Sequence, residues 1–100
     1  MDHKQNEPGS ARKLFVTEYH KYCDHLLRLD GESRRMRFGM MVDENFIRSY
    51  ADRLQDMKSI VYGHIVDGEV RAAAELRPLG SSTHGEAEAA FSVEIGRAHV

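Results

Sequence analysis

The chain has 100 residues, 41% of them hydrophobic and 30% charged, a composition that suits one small folded domain and excludes a second independent core or overall disorder. Lys and Arg number 14 against 16 Asp and Glu, so the net charge of -2 gives no global positive field for nucleic acid or an anionic membrane surface. The longest apolar runs, near Ser59–Val66 and Val70–Ala74, fall far short of the roughly 20 residues that span a bilayer. Met1–Ser10 has no apolar signal segment, and a single cysteine, Cys23, builds no intramolecular disulfide, which together point to a reducing, cytoplasmic setting.

In chain order, Met1–Ala11 is polar, contains Pro8 and lacks periodicity, so it reads as a disordered leader (residues 1–11) ahead of a domain over residues 12–94. Within Arg12–Val16, Leu14, Phe15 and Val16 suit a short first strand, though the run is too brief for periodicity to decide. Tyr19, Tyr22, Cys23, Leu26 and Leu27 then recur at i, i+3, i+4, i+7 and i+8, the spacing of one helix face. Thr17 is the expected N-cap and Gly31 the expected residue just past the end. Glu32–Phe38 reads as a short helical turn and Gly39–Val42 as a loop. Asp43 is placed to cap a second main helix whose stripe is Phe46, Ile47, Tyr50, Ala51 and Leu54.

After Lys58 the period changes to two. Ile60–Val66 and Glu69–Arg77 flank Asp67-Gly68, a pair that tolerates the positive φ angles of a two-residue hairpin turn. An unbroken ladder from that turn pairs Val66 with Glu69, Ile65 with Val70, His64 with Arg71, Tyr62 with Ala73 and Ile60 with Glu75. It puts Val61, Gly63, Ile65, Val70, Ala72, Ala74 and Leu76 on one face. Ile60, Tyr62, His64, Val66, Arg71, Ala73, Glu75 and Arg77 then share the other. Pro78 ends the strand, Gly80–Gly85 is a turn-rich connector, and Glu86–Glu94 alternates as a further strand with Ala87, Ala89, Phe91 and Val93 on one side. Strand, helix, helix and three strands make an α+β domain with a mainly antiparallel sheet.

Few residues announce chemistry. His20, Cys23 and Asp24 lie within one helical turn, but Cys23 belongs to the apolar stripe and no paired-Cys or His-Glu-x-x-His pattern supports a metal. Nothing in the sequence places a base beside the Cys23 thiol either. Arg28, Arg34, Arg35 and Arg37 could grip phosphate, yet Asp24, Asp30 and Glu32 are interspersed, which favours a solvated, internally paired surface. Glu75 is a carboxylate on the mixed face of a paired strand, near Tyr62, suited either to general-base work or to a salt bridge with Arg77 or a cross-strand cation. Pairing Ser92 with His64 or His84 has no support in the sequence.

The segments His25–Asp30, Glu32–Gly39, Val66–Pro78 and Glu88–Val93, in this order and spacing, resemble the N-terminal half of a bacterial N-acetyltransferase of the GNAT superfamily. The likeness covers about Arg12–Glu94. It implies an incomplete GNAT-like α/β fold in which acetyl-CoA, the co-substrate, lies along the fourth strand against main-chain groups of Phe91, Ser92 and Val93. An amine acceptor, small molecule or protein, would be deprotonated and attack the thioester directly, with Glu75 the candidate base. No metal, nucleic acid or membrane partner is implied. The family's basic-x-x-Gly-x-Gly/Ala run, whose amides and following helix hold the pyrophosphate, does not follow Glu94. Instead Ile95-Gly96-Arg97-Ala98-His99-Val100 matches the translation of a common sequencing adapter, so residues 95–100 read as a non-native tail and this chain as inactive. From a different class, the alternative is a small non-catalytic α+β binding module, with a homodimer through an uncovered sheet face as its natural assembly.

Overall fold

A computed structural model describes residues 9–80 and 85–95. The expected leader over residues 1–8, the centre of the connector (81–84, including His84) and the tail from residue 96 lie outside them.

The first strand, β1, is Ser10–Lys13, so it begins within the segment read as leader and ends before Leu14, Phe15 and Val16. It pairs antiparallel with β2 (Ile60–Val66), Ser10 opposite Ile65 and Lys13 opposite Tyr62. The shift has a simple cause: Leu14 is needed in the core and is buried, while Val16–Glu18 turns as a short 3-10 helix. The Arg12 guanidinium grips the Glu18 carboxylate through two bonds of 2.9 and 2.8 Å, and Phe15 N–H donates to it at 2.9 Å. These contacts hold Glu18 well below the usual carboxylate range, at about 2, the Arg12 hydrogen bond contributing most.

Helix α1 (Tyr19–Arg28) starts two residues after Thr17, with Glu18 at its N-cap. Gly31 does not end it; Leu29 does, and Gly31 opens α2 (Gly31–Phe38), whose first turn is capped by the Asp30 carboxylate accepting from Ser33 N–H at 2.8 Å. What reads as a helical turn is therefore a full helix, closed by Gly39 at φ 77°, a left-handed angle that glycine adopts without strain. Helix α3 (Glu44–Asp52) is capped as expected by Asp43, which accepts from Phe46 N–H at 2.9 Å.

Strands β2, β3 (Glu69–Pro78) and β4 (Ala87–Val93) complete a four-stranded antiparallel sheet of order β1-β2-β3-β4. The Asp67-Gly68 turn forms with both φ angles positive. Val66–Glu69 and Ile65–Val70 pair as expected, but the ladder does not stay in step. His64 faces Ala72 rather than Arg71, and from there Tyr62 meets Ala74, Val61 meets Glu75 and Ile60 meets Leu76. Arg71 is the extra residue of a β-bulge, and one extra residue reverses every side chain beyond it. Ala73 and Glu75 thus join Val61, Gly63 and Val70 on the buried side, while Ala72, Ala74 and Leu76 pass to the other.

The helices cover one face of the sheet. Leu14, Tyr22, Leu26, Leu29, Val42, Ile47, Tyr50, Leu54, Val61, Val70 and Ala73 form the core between them. Packing is tight at Gly63, where a Cβ would lie 3.3 Å from both the Leu14 and Val70 side chains, so one of them would have to shift by a few tenths of an ångström. On the opposite face Phe91 and Val93 remain 69% and 57% exposed, and with Tyr62, Ala72 and Ala74 they border an open apolar hollow of about 260 Å³. No helix among the described residues is long and apolar enough to cross a membrane.

Candidate functional site

Two buried polar clusters lie between the helices and the sheet, and both involve β3 or β4. The first surrounds Glu75. The bulge at Arg71 turns this carboxylate inward, away from Tyr62, to the face covered by α1 and α3. One oxygen, Oε1, accepts from Arg37 Nη2 at 2.6 Å, Tyr50 OH at 2.7 Å and Tyr22 OH at 2.9 Å. The other, Oε2, accepts from Ser59 Oγ at 2.7 Å and from Tyr50 OH at 2.8 Å. A carboxylate offers about four acceptor positions, and four donor groups occupy them here. The salt bridge weighed for Glu75 therefore exists, but with Arg37 of α2 rather than with Arg77. Arg77 instead donates to Tyr50 OH at 3.3 Å.

Arg37 departs from the solvated surface expected of the arginine group. Its side chain is 5% exposed, and it also donates to Tyr22 and Tyr50. Burial pushes the Tyr22 and Tyr50 phenols above their ordinary values, so both stay protonated. Arg34 is likewise internal in its bonding, donating to the Leu27 and Val42 carbonyls and tying α2 to its neighbours. Arg37, Phe38, Glu75, Arg77, Glu88, Ala89 and Ala90 border a polar cavity of about 330 Å³.

The second cluster was not legible as such. Ser92 of β4 points to the helix side and is 7% exposed, and its hydroxyl lies 2.8 Å from Nε2 of His25. His25 is fully buried on α1, and its Nδ1 lies 2.9 Å from the Glu94 carboxylate. Since a carboxylate only accepts, Nδ1 carries the proton, Nε2 is left as an acceptor, and Ser92 O–H donates to it. Burial pushes His25 below its ordinary 6.5, outweighing the opposite pull of Glu94, which favours the neutral ring. Glu94 is itself held by Arg28 at 3.0 Å and Arg71 at 3.2 Å. Burial would raise its pKa, but hydrogen bonds from Arg28 and His25 prevail and lower it.

The partner found for Ser92 is thus not His64, which is half-buried in β2; His84 lies outside the described residues. The available signal was spacing: Tyr22, His25 and Leu26 fall on the buried stripe of α1, continued by Leu29 at its C-cap. A histidine on an apolar stripe needs polar partners from the element packed against it.

Phe91, Ser92 and Val93 lie on β4, the outer strand of the described sheet, with β3 on one side only. Beside them Ser33 and Met36 of α2, with Phe91, Ser92, Val93 and Ile95, border an open hollow of about 210 Å³. Among the described residues no group of three or more His, Cys, Asp or Glu side chains, His20, Cys23 and Asp24 included, is placed to hold a metal ion. The Cys23 thiol is half-buried, and burial raises its pKa, so it is a packing residue.

No protein-family model matches the chain, and no curated protein sequence does. Among solved structures it is similar to the GNAT domain of S. lividans PAT, at 16% sequence identity and a TM-score of 0.59 over 84% of this chain. The chain spans about half of that structure, 52% of its length.

Proposed function

We propose that this chain, whose fold is α+β and GNAT-like, is the N-terminal part of an acetyl-CoA-dependent N-acetyltransferase. An amine, on a small molecule or a protein, attacks the acetyl thioester directly, in the cytoplasm where both occur. The observation that carries this reading is the position of Phe91–Val93: one edge of β4 has no strand beside it among the described residues, and it borders the hollow against α2. The backbone of this edge is where the thioester and pantetheine arm would hydrogen-bond. When bound, acetyl-CoA supplies the activated acyl group; Phe91, Ser92 and Val93 hold it.

Glu75, the base expected from sequence, would take the acceptor's proton only if one of its four donors moved aside. Its geometry favours an organising role, fixing Arg37 of α2 and Tyr50 of α3 against β3.

This 100-residue chain should bind acetyl-CoA weakly, because the residues after Glu94 do not spell the amide-rich pyrophosphate loop, whose charge-assisted bonds are worth about 1.5–3 kcal/mol each. Titration of the isotope-labelled chain with acetyl-CoA, followed by amide NMR, tests both statements. Shifts clustered at Phe91–Val93 that do not saturate in the micromolar range are expected. Shifts elsewhere with none on β4 overturn the donor site, and micromolar saturation overturns the inactivity.

A second reading is favoured by the apolar hollow around Phe91 and Val93: a non-catalytic module that dimerises through this sheet face.

A further inference from the structure

The polar cavity bordered by Arg37, Glu75, Arg77 and Glu88 lies where β3 pairs with β4, Glu75 opposite Ala90 and Arg77 opposite Glu88. Two guanidinium groups converge beside it: Arg37 Nη2 and Arg77 Nη2 donate to the same phenol oxygen, that of Tyr50, at 3.0 and 3.3 Å. Only one buried carboxylate answers them. Glu75 pairs with Arg37, and Arg77 has no ion-pair partner among the described residues. Both arginines also keep donors unspent. Nε of each is buried without a hydrogen-bond partner, and Nη1 of each makes no hydrogen bond among the described residues. Like charges drawn together in a half-buried place, with N–H groups left over, suit an anion. Glu88, exposed on β4, has no ion-pair partner among the described residues either, so the cavity offers one unpaired cation and one unpaired carboxylate. A doubly charged phosphate would be repelled by Glu88, whereas a monoanion that carries its own ammonium group complements both.

We infer that this cavity binds a free α-amino acid, its carboxylate on the guanidinium groups of Arg37 and Arg77 and its ammonium group beside Glu88. The volume of about 330 Å³ falls in the range of small-molecule sites, and Phe38, Ala89 and Ala90 complete the lining with apolar surface for an aliphatic side chain. Arg37 is preorganised for the task, because Glu75, Tyr22 and Tyr50 hold it in place through Nη2 and the Phe38 ring lies 4.6 Å from its guanidinium carbon. The inference names the acceptor class of the proposed transferase and, for that role, rests on that reading: Ala90 adjoins Phe91, so the cavity and the donor strand are continuous along β4. Binding of the amino acid itself needs no coenzyme.

The test titrates the isotope-labelled full chain with leucine, with leucinamide, which lacks the carboxylate, and with 4-methylpentanoate, which lacks the amine. Leucine should move the Ala89 and Ala90 amides and the Arg77 Nε–H signal, and leucinamide should bind roughly tenfold or more weakly, the loss of a charge-assisted contact. Arg77→Gln should weaken leucine by a similar factor. Glu88→Gln should weaken leucine but leave 4-methylpentanoate unchanged, which separates the ammonium contact from the carboxylate contact. No leucine shift at these positions overturns the inference, as does leucinamide binding equal to leucine or an undiminished affinity in Arg77→Gln. If that variant does not fold, the comparison of leucine with leucinamide on the wild-type chain decides alone. Because acetyl-CoA is absent from this titration, failure here leaves the donor site at Phe91–Val93 standing, and failure of the donor site leaves amino-acid binding standing.

Discussion

Arg37 of α2 and Glu75 of β3 meet at 2.6 Å with side chains 5% and 2% exposed, a buried ion pair joining a helix that packs on β4 to the strand beside it. The two charges are tolerable in the interior because Tyr22, Tyr50 and Ser59 complete their hydrogen bonding.

Removing one member should therefore cost far more than removing one of its satellites. Arg37→Ala leaves a buried carboxylate without its cation and is expected to destabilise by about 3–5 kcal/mol. Tyr22→Phe removes one of four donors and should cost about 1 kcal/mol. Urea denaturation of the two variants checks the order; equal losses would mean that the pair does not hold α2 to the sheet.

Stability should fall with acid earlier than carboxylates alone would cause. Burial depresses His25 in the folded state, so between that lowered value and the unfolded 6.5 the unfolded chain binds more protons. The His25 contribution is complete above pH 6.5 and is lost progressively as pH falls below it towards the folded value. Glu94, also lowered, adds a loss that begins only near its ordinary 4.5. Urea midpoints measured from about pH 7.5 down to about pH 5.5 should decline in the wild type and stay nearly level in His25→Gln.

The uncovered sheet face should make the chain self-associate. Phe91 and Val93, flanked by Tyr62, present apolar surface on an edge strand, and both features invite contact between copies. Sedimentation velocity should show mass rising with concentration, and Phe91→Lys with Val93→Thr should reduce it. A discrete dimer with a sharp cooperative melt supports the binding-module reading. Open-ended association supports a domain that lacks its cover. A wild type that stays monomeric at high concentration contradicts both.

Local signals were legible wherever a residue acts on its own neighbours. The stripe of α1, the Asp43 cap and the Asp67-Gly68 turn all follow from spacing or φ preference, and each is present. The resemblance carried by segment order gave the fold. The register did not follow, since a bulge at Arg71 depends on what packs above and below the strand rather than on Arg71 itself. That one residue decided the site: with the ladder unbroken, Glu75 would share a face with Tyr62, and the bulge instead delivers it to Arg37.

The amino-acid order alone determined helices α1 and α3 and strands β2 to β4, because periodicity and capping are short-range properties, but it misplaced β1 and reduced α2 to a turn. Only the tertiary structure decided that Ser92 meets His25, 67 residues away, and that Arg37 is buried. Such pairings arise when a helix settles on a sheet at a particular register, and no local preference records that choice.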